Sequence, residues 1–87
     1  MRNQYIQSLK DIFHGWIGRS RTSLGITQEE MAHRLAMAGR TYADLEHGKA
    51  CCSAVTLALF LIYLCDDPQE FIKELKVAFE KADSEAA

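Results

Sequence analysis

Arg40, Ala43, Asp44 and His47 are the residues of this chain whose types and spacing suit recognition chemistry. Steps of three, one and three put all four on one side of a helix whose other side is Tyr42 and Leu45. A guanidinium donates twice to one planar pair of acceptors, and a carboxylate accepts from an amino group. An alanine methyl packs on another methyl, and an imidazole reaches a backbone. Together these are the contacts a helix makes with base edges in a major groove. Thr27 and Gln28, at a helix start, can bond phosphate oxygens through side chain and backbone N–H. Arg40 and Asp44 are also four apart, so pairing with one another on a solvated face is the plainer alternative.

Other chemistry finds little support. Cys51, Cys52 and Cys65 are odd in number and lack metal-ligand spacing, although vicinal Cys51–Cys52 near His47 could be drawn as a zinc or redox site. Free thiols in a reducing cytoplasm are the reading adopted. His14, His33 and His47 have no partnered nucleophile, and there is no phosphate loop. The chain is therefore expected to be neither an enzyme nor a metalloprotein, and to need no cofactor.

The elements that position the recognition residues lie within Ile26–Lys49. Thr27 with Glu30 fits a capping box opening one helix. Met31, Leu35, Met37, Tyr42 and Leu45 give two short helices facing inner sides, with small Ala32 where their axes cross. Gly48 supplies a left-handed residue to end the second helix, and His47 sits at its negative end. This is a helix-turn-helix pattern.

Arg21–Ala32 (R-x3-G-I-T-Q-E-E-M-A) followed by Tyr42–Lys49 (Y-A-D-L-E-H-G-K) resembles the phage-repressor-like, or XRE-type, helix-turn-helix family over about residues 13 to 64. The resemblance implies an all-α five-helix domain and contact with double-stranded DNA through Gln28 and the positions of Gly39, Arg40, Ala43 and Asp44. Lys49 and Arg21 are candidate phosphate contacts. Two positions depart from the family: Ala36 replaces a frequent turn glycine, and Gly39 replaces a polar residue at the start of the recognition helix.

The rest of the chain extends this pattern into one domain, residues 1–87. The stripe Tyr5, Ile6, Leu9, Ile12, Phe13, Trp16, Ile17 predicts a first helix over 3–23, with Gly15 and Gly18 as points of close approach or a kink. Its early part either covers the core or contacts another subunit. Ser53 caps a fourth helix, 54–64, apolar nearly all round and expected at the centre of a core of Trp16, Met31, Leu35, Tyr42, Leu45, Leu57, Phe60 and Leu61. Asp66-Asp67-Pro68 starts a fifth helix, about 68–82, with fraying beyond Ala82. Phe71, Leu75, Ala78, Phe79 and Ala82 form one stripe of this helix with Ile72 and Val77 beside it; Phe71, Ile72, Leu75 and Phe79 are read as a homodimer interface, with intramolecular core as the alternative.

Charge is unevenly divided. The net value is −2, yet residues 1–65 carry +2 and residues 66–87 carry −4. A weakly positive head with an acidic tail predicts modest non-specific affinity for nucleic acid. The longest uncharged run, 50–65, is too short to span a bilayer. No secretory signal opens the chain, so the expected compartment is the cytoplasm. The function expected is a sequence-specific DNA-binding transcriptional regulator, a homodimer on a two-half-site operator. The competing reading is a helical module of antitoxin or antirepressor type that binds a protein partner, its helix-turn-helix being structural.

Overall fold

Thr27 and Ser53 each stand one residue before a helix, and their hydroxyl oxygens accept backbone N–H groups from Glu30 (3.1 Å) and Thr56 (3.2 Å). Each thereby satisfies one of the donors a helix start leaves free. Asp67 does the same for Glu70 N at 3.1 Å. The computed structural model describes residues 2–86. Among them are α1 (Arg2–Leu24), α2 (Gln28–Arg34), α3 (Gly39–Glu46), α4 (Ala54–Leu59) and α5 (Pro68–Ala86). A π-helical turn, Phe60–Leu64, continues α4, and no strand occurs among the described residues. The fold is all-α with five helices, and no described helix is long and apolar enough to cross a membrane.

Gly48 ends α3 at a left-handed φ of +74°, as expected, and Gly25 ends α1 in the same way at +69°. At Gly48 a Cβ would also meet the His14 ring at 3.3 Å, a tight contact that adds to the conformational preference for glycine there. The capping box at Thr27 is only half made, because Glu30 Oε1 accepts from Arg34 Nε (3.2 Å) on the next turn. α1 runs unbroken through Gly15 and Gly18. A Cβ on Gly18 would meet Glu46 at 3.6 Å, which is ordinary contact, and one on Gly15 would meet only the end of Arg19. Neither glycine marks a kink or a tight crossing.

The core joins Phe13, Trp16 and Ile17 of α1, Met31, Ala32 and Leu35 of the α2 region, Tyr42 and Leu45 of α3, Phe60 and Leu64 of the π turn, and Phe71 of α5. α1 and α5 run antiparallel. Tyr5 packs on Phe79 at a tilt of 42° with 5.0 Å between centroids, and Phe13 meets Phe71 edge-on at 6.4 Å. The early part of α1 therefore covers α5.

Three expectations need correction. α4 is not the central helix: Leu57 and Leu61 are only partly buried, while Val55, Ile62 and Tyr63 are 69%, 69% and 75% exposed. Thr56, Phe60 and Leu64, at four-residue steps, face the core, and the opposite side of the segment, with Val55, Ile62 and Tyr63, is open. The segment closes in a π turn, where Cys65 N donates to Phe60 O (2.8 Å) five residues back. Phe71 cannot belong to a dimer surface, because it is fully buried among Trp16 (5.7 Å), Phe60 (5.8 Å) and Phe13. Leu75 and Phe79 are half-buried against the rest of the chain, and of the four only Ile72, 50% exposed, faces out. α5 also continues past Ala82, which is buried, and Asp83 Oδ1 accepts from Tyr5 Oη at 2.6 Å. The helix is formed through Ala86, beyond the Ala82 limit expected, and that bond ties its last turns to α1; Ala87 lies outside the described residues.

Candidate functional site

α2 and α3 pack on one another across the turn at Leu35–Ala38. Leu35 N and Met37 N both donate to Ala32 O, at 3.2 and 3.0 Å, which reverses the chain within three residues. Ala36 takes φ +56°, the left-handed conformation for which glycine is suited. For alanine that conformation costs about 1–2 kcal/mol. The turn glycine missing from the sequence is thus missing at the position that would use it.

α3 is two-sided, as its spacing requires. Tyr42 and Leu45 are buried, while Gly39, Arg40 and His47 are exposed and Ala43 and Asp44 half-buried. Among the described residues the ion pairs are Arg21–Glu46 and Arg34–Glu30, so Arg40 and Asp44 do not pair with one another. Both are left with unengaged donors and acceptors on one face. A Cβ at Gly39 would meet nothing within 4 Å, so the start of α3 is open as well. Thr27 and Lys49 are exposed at the ends of the motif.

Gln28 and Arg21 are placed differently from expectation. Both turn inward to Glu46, the last residue of α3. Arg21 Nε donates to Glu46 Oε1 at 2.6 Å, Tyr42 Oη donates to the same oxygen at 3.0 Å, and Gln28 Nε2 donates to Oε2. Arg21 Nη1 also donates to Ile26 O at 3.0 Å. The cause is burial: the Glu46 side chain is only 11% exposed, and a carboxylate withdrawn from water needs donors to replace it. Burial alone would raise its pKa. The hydrogen bonds from Arg21, Gln28 and Tyr42 prevail and hold it below the ordinary carboxylate value. Tyr42 is pushed well above its ordinary value, first by burial and then by its bond to Glu46. The guanidinium of Arg21 is pushed up too, by the same carboxylate.

Glu46 is the residue the sequence reading passed over. A signal was present: it lies four residues after Tyr42 and one after Leu45, on the inward half of α3. Its network ties α1, α2 and α3 at one point and thereby sets the direction in which Arg40 and Asp44 project. His14 adds a fourth partner, its Nδ1 lying 3.3 Å from the Glu46 carbonyl oxygen at the end of α3.

The thiols take no part in this arrangement. Burial pushes Cys52 up to about 11 and Cys65 upward as well, so both stay protonated near neutral pH and are poor nucleophiles. Among the described residues no three His, Cys, Asp or Glu side chains stand together as a metal site. No family model, curated protein or solved structure matches the chain.

Proposed function

We propose that this chain is a cytoplasmic, sequence-specific DNA-binding transcriptional regulator of the repressor-like helix-turn-helix type, a homodimer on two half-sites. The observation carrying this reading is the unpaired, outward face of α3, where exposed Arg40 stands beside Ala43 and Asp44 opposite buried Tyr42 and Leu45. In a major groove Arg40 donates to one guanine, Asp44 accepts from a cytosine amino group, and Ala43 packs on a thymine methyl. Thr27 and Lys49, exposed at either end of the motif, bind phosphates and set register. Glu46 holds Gln28 and Arg21 away from DNA and acts instead by orienting α3. Selection of bound duplexes from random sequence, followed by titration of a fluorescent duplex at low salt, tests the reading. Enrichment of a two-part site supports it, and a folded protein that binds no duplex overturns it.

A second reading, a module that binds a protein partner, draws on two observations. Residues 66–87 carry −4, and two of the expected phosphate contacts are spent on Glu46. It stands if the same titration finds no duplex bound.

A further inference from the structure

Among the described residues, an exposed apolar surface lies on α4 and its π turn. Two rows run along it at four-residue steps, Ala54–Ala58–Ile62 and Val55–Leu59–Tyr63. Five of these six residues are exposed; Leu59 is half-buried. Val55, Ile62 and Tyr63 are the three most exposed large apolar side chains among the described residues. Thr56, Phe60 and Leu64 face the core from the opposite side. We propose that this surface is where a second copy of the same chain docks, by a two-fold contact of α4 on α4. The proposal deepens the dimer part of the preceding reading by assigning the surface that forms it.

Charge selects the occupant. Residues 50–65 contain no Asp, Glu, Lys or Arg, so a two-fold axis through this surface brings no like charges together. Of the other exposed large apolar side chains, Ile6 and Leu24 stand eighteen residues apart on α1, and Ile72 and Val77 on α5 lie among Glu70, Lys73, Glu74, Lys76 and Glu80 within a segment of net −4. A two-fold axis there would set two acidic segments against each other. Area agrees with a modest dimer. The two rows offer roughly 400–500 Å² on each copy, about 800–1,000 Å² in total, the size of a weak, transient interface. Such a dimer forms in the micromolar range and tightens when both copies share one duplex.

The test is sedimentation equilibrium of the full chain without DNA, from about 5 to 500 μM, beside Ile62→Asp/Tyr63→Asp and Ile72→Asp/Val77→Asp variants. All four positions are exposed, so circular dichroism should find each variant folded. The wild type and the α5 variant are expected to dimerise, and the α4 variant to stay monomeric or weaken at least tenfold. A wild type monomeric at 500 μM overturns the proposal. So does an α5 variant that dissociates while the α4 variant does not. The measurement contains no DNA, so its failure is separable from failure of the DNA-binding reading.

Discussion

Arg21 Nε stands 2.6 Å from Glu46 Oε1, an ion pair that joins α1 to α3 across 25 residues of sequence. With Tyr42 and Gln28 on the same carboxylate, the pair is a small polar core beneath the exposed face of α3. Its loss should be felt first as stability. Glu46→Ala strips three donors of their acceptor and should cost about 2–4 kcal/mol in urea unfolding. Glu46→Gln keeps the shape without the charge and should cost less.

The same network gives a pH dependence with two signs. The Glu46 pKa lies lower in the folded chain than its ordinary 4.5, so its contribution is present above that value. It is lost as pH falls through the folded pKa. The Tyr42 pKa lies higher than its ordinary 10.0, so its contribution is present below pH 10 and is lost as pH rises further. Unfolding free energy should therefore fall on both flanks, with Glu46→Gln flattening the acid side and Tyr42→Phe the alkaline side. Urea titrations at a series of pH values measure both.

Alanine and glycine stand at two positions where the exchange should help. Ala36→Gly relieves about 1–2 kcal/mol of left-handed strain against about 0.4–1 kcal/mol of added chain entropy, a net gain of up to about 1.6 kcal/mol. Gly15→Ala, inside α1 with only the Arg19 side-chain end near the new Cβ, should gain up to about 1 kcal/mol. Thermal unfolding of each variant should show a raised midpoint.

Phe71→Ala should cost about 3–5 kcal/mol, because the ring is fully buried among Phe13, Trp16 and Phe60. Leu61→Ala, only partly buried, should cost less than about 2 kcal/mol. Equal costs in denaturant unfolding would contradict this placement of α4.

On DNA, Arg40→Ala should lose about 1–3 kcal/mol on the preferred site and relax preference at one base pair. Lys49→Ala should weaken all duplexes alike and lower the salt slope by about one ion. Arg21→Ala should reduce stability more than it changes that slope, because its guanidinium is already held by Glu46. Fluorescence anisotropy across a salt series separates the three.

The helices were legible because their signals are local. Thr27, Ser53, Gly48 and Pro68 mark ends within a residue or two, and Met31, Leu35, Tyr42 and Leu45 are buried as their spacing requires. The exposure of Gly39, Arg40 and His47 was legible for the same reason. Glu46 was legible only in part: its step of four from Tyr42 marks the inward half of α3, but its other two donors come from positions 18 and 25 residues away, and a lone carboxylate reads as solvated. The facing of α5 was legible in the spacing of Phe71, Leu75, Ala78, Phe79 and Ala82, which all turn inward while Ile72 and Val77 beside them are exposed. What that stripe packs on was not legible, because periodicity cannot tell this chain's own α1 from a second copy. The π turn adds a wider turn to α4 that no period of 3.6 foresees.

The bond between Tyr5 and Asp83 spans 78 residues, nearly the whole chain. Contacts at such separation bear the largest loop-closure cost, whereas those between α2 and α3 close within about twenty residues. The ends of α1 and α5 should therefore zip together last during folding and part first when the molecule breathes. In hydrogen exchange, the amides around Tyr5 and Phe79 should lose protection while those of Met31 and Tyr42 keep theirs. The helix-turn-helix should then outlast the ends of the chain that brace it.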